Sequence, residues 1–156
     1  MISLRKPYSH EFAVYQHLEQ AFYLHHRAYH TFLQDVDPRK RSLKREFLEI
    51  IQDKNTFFRF LEVDFQVVGY IYALIKKVNE NEKGWKKIAD LNSLVVLEPF
   101  RKKGYATFMI QEFFSWLHSK DITYVIVSSN IKNKTSISLF KKLGFQEQYL
   151  TFGKML

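Results

Sequence analysis

Residues 94–107 carry the strongest local pattern in the chain, and they read Leu94-Val95-Val96-Leu97-Glu98-Pro99-Phe100-Arg101-Lys102-Lys103-Gly104-Tyr105-Ala106-Thr107. A run of strand-forming residues ends at a basic turn, and a helix-forming segment follows the glycine. The first amides of a helix have no partners within the helix and carry partial positive charge, and small residues let a phosphate approach them. The pattern indicates an anion-binding turn, with an ordinary strand-to-helix turn as the alternative. It is neither a GxxxxGK[ST] P-loop nor a GxGxxG loop.

The spacing of apolar residues predicts strands and helices on both sides of this turn. Helices interleaved with a mixed sheet predict a single α/β (α+β) domain over residues 1–156. Strands are expected over residues 1–6, 57–63, 67–78, 88–96 and 124–127, with a final strand pair within residues 145–156. Helices are expected from Ser9 through Phe22 and over residues 42–52, 104–119 and 133–143.

The composition is that of a folded protein. The chain has 156 residues, of which 46% are hydrophobic and 26% charged, and this balance excludes wholesale disorder. It contains no cysteine, which excludes disulfides and cysteine-based zinc sites. The longest apolar runs are too short for a transmembrane helix, and residues 1–12 lack the apolar stretch of a secretory signal. We therefore expect a cytoplasmic protein without a membrane partner.

The formal net charge of +8 is concentrated in the last third of the chain. Residues 1–98 contain 15 Lys and Arg against 13 Asp and Glu, whereas residues 99–156 contain nine against three. This asymmetry favours a polyanionic partner such as nucleic acid, anionic lipid or a phosphorylated cofactor. A solvated basic surface is the alternative interpretation.

A second pattern lies about thirty residues after the first. It reads Asn130-Ile131-Lys132-Asn133-Lys134-Thr135-Ser136-Ile137-Ser138-Leu139-Phe140-Lys141-Lys142-Leu143-Gly144-Phe145. Asn133 is placed to cap a helix. Simple capping, with Phe140 in the core and the two lysines in solvent, is the alternative.

Together the two patterns resemble the GNAT superfamily of N-acetyltransferases. The pyrophosphate loop of that family, [RQ]xxGx[GA], and its later motif, NxxA/SxxxYxKxGF, are matched here by Arg101, Gly104, Ala106, Asn133, Ser136, Lys142, Gly144 and Phe145. The resemblance implies a mixed, V-splayed central sheet of about seven strands flanked by about four helices. It also implies that acetyl-CoA enters between the strand ending near Val96 and the strand around Val125, and that its acetyl group moves to an amine.

The resemblance also implies which residues bind the cofactor. The backbone on either side of Val95 would hold the pantetheine arm, the amides of the basic turn would hold the pyrophosphate, and lysines of the second pattern would reach the adenosine 3′-phosphate. The implied cofactor-binding residues are Leu94, Val95, Val96, Arg101, Lys102, Lys103, Gly104, Tyr105, Ala106, Thr107, Asn130, Asn133, Phe140 and Lys142.

Direct transfer needs a neutral amine and therefore a general base. Histone-type members of the family carry a carboxylate eleven residues before the loop arginine, which corresponds to Asp90. Strand geometry would place Asp90 and Asn92 on one face in the absence of a bulge. The alternative is a structural carboxylate paired with Lys86 or Lys87, and Glu98 is the weaker second candidate for the base.

The general acid is where this chain departs from the family pattern. Phe140 stands at the position where many members carry a tyrosine that protonates the leaving thiolate. Water could replace that tyrosine, Tyr149 could replace it, or the domain could bind acyl-CoA and catalyse poorly. The sequence alone leaves these three alternatives open.

The acceptor side is expected near the first helix, which is rich in aromatic residues and histidines. The candidate substrate-binding residues are His25, His26, Tyr29 and Asn92, and an amphipathic helix with surface histidines is the alternative. His26 and His30 alone are too few ligands to predict a zinc site, so no metal is expected.

Two other function classes compete with the enzyme. A non-catalytic acyl-CoA-binding module is favoured by Phe140. Nucleic-acid binding draws on the net charge and the basic residues between Arg39 and Arg45, but the aromatic residues lie mostly in core-patterned segments. The expected partners are therefore acetyl-CoA and an amine, without nucleic acid. The resemblance also implies a possible homodimer, because members of the family are often dimers and the expected C-terminal strands would offer an edge that could pair.

Overall fold

The computed structural model describes residues 1–29, 42–78, 84, 86–154 and 156. Five strands and four α-helices make up its regular structure. The strands are β1 (Ile2–Arg5), β2 (Thr56–Val63), β3 (Gln66–Lys77), β4 (Lys87–Val96) and β5 (Val125–Val127). The helices are α1 (Phe12–Arg27), α2 (Leu43–Gln52), α3 (Tyr105–His118) and α4 (Lys134–Lys142), and a 3-10 turn, Ser9–Glu11, precedes α1.

The strands form one mixed sheet in the order β1-β2-β3-β4-β5. The first four are antiparallel neighbours, and β2 and β3 form a hairpin whose turn places Asp64 and Phe65 in the left-handed region. β5 runs parallel to β4, which requires the crossover that α3 provides. The expected mixed α/β domain is confirmed, as are the hairpin, the long strand before the basic turn and the helix after it.

Helices cover both faces of the sheet and create two cores. On one face α3 and α4 pack on the sheet through residues such as Phe113, Met109 and Phe140. On the other face α1 and α2 enclose a core rich in aromatic side chains, with Phe47, Phe60 and Tyr70 almost fully buried. We call this second cluster the aromatic core. Because β4 is shared by both clusters, it is held in place from both sides.

The predicted strand pair at residues 145–156 is wrong. None of the described residues in that segment, 145–154 and 156, belongs to a strand. Tyr149 is 97% exposed and Phe152 87% exposed, so these side chains do not pack on the sheet. Residues with strand propensity form a strand only where a neighbouring strand pairs with them and other side chains pack against them. No such pairing is present among the described residues of this segment. The described sheet therefore has five strands instead of about seven.

Some expectations fall on residues outside the described part of the chain. They concern His30, which was considered as a metal ligand, and the basic residues 39–41. Within the described ranges, no helix combines the length and the apolar composition that crossing a membrane requires.

Candidate functional site

The edge of β4 next to β5 opens towards its carboxyl end. β4 pairs with β5 only from Ala89 to Leu91, although it continues to Val96. The amide of Leu97 donates to a carbonyl of β3 at 2.8 Å. Because alternate residues direct their backbone groups to the same neighbour, the backbone amides and carbonyls of Leu94 and Val96 point away from β3. They point towards the gap that is left between β4 and β5 beyond Leu91. This stretch of backbone can hydrogen-bond an extended ligand.

A register shift in β4 begins this open stretch. Tyr72 of β3 lies opposite Ser93, whereas the next residue, Ala73, lies opposite Leu91, so Asn92 is the extra residue of a bulge. The expected alignment of Asp90 and Asn92 on one face assumed a strand without a bulge, whereas the structure places a bulge at Asn92 itself. The side chain of Asn92 is exposed at the bulge.

The turn after β4 presents the amino end of α3. Gly104 precedes the helix with φ of 84°, and Lys102 also lies in the left-handed region. The amide of Phe108 donates to the Gly104 carbonyl at 3.0 Å, so the amides from Tyr105 to Thr107 precede the first helical hydrogen bond. A Cβ built on Gly104 would meet no heavy atom within 4 Å. Together with the exposed Lys102 and Lys103, this open, positively charged amide cluster fits the pyrophosphate of CoA.

Arg101 connects this turn to the first helix. Its Nε donates to the Val96 carbonyl at 2.8 Å, and its Nη1 lies 3.4 Å from Nδ1 of His25. Arginine can only donate, so Nδ1 of His25 accepts and Nε2 carries the ring proton. Burial, followed by the positive charge of Arg101, lowers the pKa of His25, while Glu98 raises it. His25 is therefore neutral at physiological pH.

The carboxyl end of α1 and the residues just after it also contact the segment that follows β5, on the other side of the gap between β4 and β5. Nδ2 of Asn130 donates to the Tyr29 carbonyl at 3.2 Å, and the ring of His25 meets that of Tyr29 edge to face at 5.4 Å. Two predicted acceptor residues thus contact two predicted cofactor residues. His26, the third predicted acceptor residue on this segment, packs against α1 instead, with its ring centroid 4.1 Å from that of Phe22.

Helix α4 and its cap contribute two buried groups and one exposed lysine. Asn133 is 3% exposed, and its Oδ1 accepts from the Ser136 amide at 3.2 Å, which confirms the capping role. Phe140 is buried in the core, with its ring 5.5 Å from that of Phe145. Lys142 is exposed. Contacts of these three residues with a cofactor stay predictions.

The two predicted bases differ in their surroundings. Asp90 forms an ion pair with Lys76 on the neighbouring strand, not with Lys86 or Lys87 as expected for the structural alternative. Glu98 is exposed at the start of a 3-10 turn, where its carbonyl accepts from the Arg101 amide at 3.1 Å. The ion pair favours a structural role for Asp90, and its role as a base stays a prediction. Within the described ranges, no three or more potential metal-ligating side chains form a cluster.

A buried polar pair that the sequence patterns did not reveal joins α1 to β3. Glu19 of α1 is 9% exposed and accepts a hydrogen bond from the hydroxyl of Tyr70, which is 1% exposed. Burial, followed by the charge of Glu19, raises the pKa of Tyr70 well above its usual value. Glu19 follows Tyr15 by four residues and so shares the buried face of α1. A carboxylate on an apolar helix face was the available signal.

Comparison with known proteins identifies the family. A family model described as the acetyltransferase (GNAT) family matches residues 12–145. An N-alpha-acetyltransferase from Sulfurisphaera tokodaii is 32% identical over 65% of this chain and 63% of its own length. An uncharacterized N-acetyltransferase from Methanocaldococcus jannaschii is 23% identical over 87% of this chain and 59% of its own length. This chain thus matches less than two thirds of the length of these relatives.

Solved structures share the fold at low sequence identity. A variant of the BH1408 protein from Bacillus halodurans has a TM-score of 0.86 at 13% identity and covers 99% of both chains. An aminoglycoside N-acetyltransferase in complex with CoA has a TM-score of 0.77 at 18% identity, covering 99% of this chain and 95% of its own. A protein from Clostridium acetobutylicum with acetyl-CoA has a TM-score of 0.78 at 13% identity, covering 98% and 96%. The chain belongs to the GNAT acetyltransferase family.

Proposed function

We propose that this protein transfers the acetyl group of acetyl-CoA to a primary amine by direct transfer. The observation that carries this proposal is the open edge of β4 leading into the exposed amides of α3. A strand edge suits the amide-rich pantetheine arm, and a helix amino end suits the pyrophosphate. Both features occur next to each other in a chain of the acetyltransferase family.

The residues of the chain would act mainly by positioning. The backbone of Leu94 and Val96 would align the pantetheine arm, and Arg101 would hold the Val96 carbonyl in place while adding positive charge near the phosphates. Acetyl-CoA supplies an acetyl group activated as a thioester. Holding that group beside a neutral amine supplies a large part of the rate enhancement, because a bimolecular reaction becomes effectively unimolecular.

The acceptor amine would approach from the side of α1, where His25 and Tyr29 lie. The N-alpha-acetyltransferase relatives favour the N-terminal amine of a peptide. The aminoglycoside acetyltransferases with the same fold make a small polyamine-like acceptor the second choice.

The proposal is tested by following release of the CoA thiol and acetylated product together. Acetyl-CoA is incubated with a peptide that has a free N-terminus and with the same peptide already blocked there. Kanamycin serves as the small-molecule probe. We expect thiol and acetylated product to form in equal amounts with the free peptide, and none with the blocked peptide.

A non-catalytic acyl-CoA-binding module is the second candidate, since Phe140 cannot donate a proton to the leaving thiolate. Acetyl-CoA that binds but yields no acetylated product with either probe would favour this candidate and contradict the enzyme.

A further inference from the structure

The side chains of His25 on α1 and Arg101 in the turn after β4 are in contact beside the proposed phosphate site. Nη1 of Arg101 lies 3.4 Å from Nδ1 of His25, and both side chains are half-buried. Nε of the same guanidinium donates to the Val96 carbonyl at 2.8 Å. Arg101 therefore has two acceptors, one at the end of β4 and one on the first helix.

These two contacts orient Arg101 without cancelling its positive charge. A backbone carbonyl and a neutral imidazole carry no net charge, whereas a carboxylate in either place would neutralise the guanidinium. Because the guanidinium is planar and rigid, acceptors on two of its nitrogens define its orientation. Arg101 precedes Gly104 by three residues, so an oriented positive charge lies close to the amides that are proposed to hold the pyrophosphate.

The segment that carries His25 is also fastened on the other side of the gap between β4 and β5. Nδ2 of Asn130 donates to the Tyr29 carbonyl at 3.2 Å, and the Tyr29 amide donates to the His26 carbonyl at 2.9 Å. The rings of His25 and Tyr29 meet edge to face, with their centroids 5.4 Å apart. The imidazole of His25 is thus held in place by contacts other than the one with Arg101.

We infer that His25 is a positioning residue for acetyl-CoA binding, whose neutral imidazole holds Arg101 in the orientation that attracts the phosphates. This inference rests on the acetyl-CoA binding that the proposed function requires. It gives a role on the cofactor side to a residue that the sequence patterns placed on the acceptor side.

The contact requires an unprotonated Nδ1 on His25. Two charged groups act on this imidazole from the turn after β4, Arg101 and Glu98, and the rings of His26 and Tyr29 face it from its own segment. Burial, followed by the charge of Arg101, lowers the pKa of His25, whereas Glu98 raises it. Once protonated, the imidazole has two donors and no acceptor, and its charge repels the guanidinium. Acid should therefore break the contact.

The test measures the dissociation constant of acetyl-CoA by isothermal titration for His25→Leu, His25→Gln, Arg101→Lys and the combination of His25→Leu with Arg101→Lys. Leucine cannot accept a hydrogen bond, whereas glutamine accepts through Oε1 and does not titrate. Lysine keeps the charge of Arg101 but lacks the planar fork. His17→Leu is the matched control, because His17 is exposed on the same helix.

At pH 7.5 we expect His25→Leu to weaken binding about tenfold, the effect of losing one hydrogen bond to a charged group. His25→Gln should bind within about threefold of the wild type, because it restores the acceptor. Adding His25→Leu to Arg101→Lys should change the affinity less than about threefold, because the contact is already lost. His17→Leu should bind like the wild type.

The pH dependence separates this contact from a packing role. The phosphates of acetyl-CoA titrate in every experiment, so the affinity of the wild type relative to His25→Gln isolates the effect of His25. We expect this relative affinity to be constant from about pH 8 to about pH 6.5 and to fall about threefold or more by about pH 5. A constant relative affinity down to that pH would overturn the inference. So would a relative gain in acid, because a protonated His25 would then be attracting the phosphates directly.

Wild-type affinity in His25→Leu, or the full loss of His25→Leu repeated on top of Arg101→Lys, would also overturn the positioning role while leaving the proposed function intact. A wild-type protein that does not bind acetyl-CoA would overturn the proposed function and this inference with it. Circular dichroism at each pH checks that the fold is retained. If His25→Leu unfolds, the pH dependence of the wild type relative to His25→Gln decides the outcome.

Discussion

Gly104 is the position where a single substitution tests whether the amino end of α3 binds the phosphates of acetyl-CoA. It lies at the amino end of α3 with φ of 84°, and a Cβ there would point into open space. Gly104→Glu places a carboxylate in that space. A negative unit charge about 5 Å from a phosphate charge costs about 3 kcal/mol at an effective dielectric constant of about 20. We therefore expect the affinity for acetyl-CoA to fall more than about 100-fold.

The fold should survive this substitution. A non-glycine residue in the left-handed region costs about 1–2 kcal/mol, and a carboxylate at a helix amino end recovers about 0.3–1 kcal/mol of that. Gly84→Glu is the matched control, because Gly84 also has a positive φ of 71° and open space around its Cβ. Gly84 precedes β4, so the ten residues of that strand separate it from the amino end of α3 by about 30 Å.

Isothermal titration of acetyl-CoA into both variants gives the affinities directly. Gly104→Ala, titrated alongside, separates the backbone cost from the effect of charge, and its affinity should fall between the other two. We expect Gly84→Glu to bind like the wild type. An affinity of Gly104→Glu within threefold of the wild type would mean that the phosphates bind elsewhere.

Three further substitutions probe other parts of the site. Asp90→Asn should reduce the transfer rate less than threefold if the ion pair with Lys76 is the main role of Asp90; a loss of about 100-fold or more would make Asp90 the base. Phe140→Tyr should stay folded and raise kcat by supplying an acid for the thiolate; an unchanged kcat would show that water suffices. His25→Gln should make the melting temperature less sensitive to acid. The lowered pKa of His25 has no effect on stability above about pH 6.5 and destabilises the fold as the pH falls below it; an identical pH dependence in the variant would contradict this.

Local patterns in the sequence were enough to predict the strand and helix around the proposed cofactor site. The period-two and period-3.6 spacings identified β4 and α3, and the glycine between them marked the helix start that the structure places at Tyr105. Capping by Asn133 was predicted for the same reason, since a cap involves residues only three apart. Local residue spacing was therefore enough to predict most of the backbone elements that surround the proposed cofactor site.

Features that depend on distant residues were not predictable in this way. The partner of Asp90 is Lys76, fourteen residues away, and it is set by the register of β3 against β4. Glu19 and Tyr70 are separated by 51 residues and meet only because α1 packs on the sheet. The bulge at Asn92 is likewise a property of strand pairing. The segment from Phe145 onwards has strand-forming residues but no strand among its described residues, because propensity does not supply a partner.

The most direct test of the account is the melting temperature of the protein with and without acetyl-CoA. ATP and a short DNA duplex serve as polyanion controls. A ligand present at 100 times its dissociation constant, and bound only to the folded state, adds about 2.7 kcal/mol of stability. For a chain of this size we expect a rise of about 5–11 °C with acetyl-CoA, and little change with the controls. An equal rise with all three would indicate generic anion binding, and no rise with acetyl-CoA would contradict the assignment of the β4 edge and the α3 amides as its binding site.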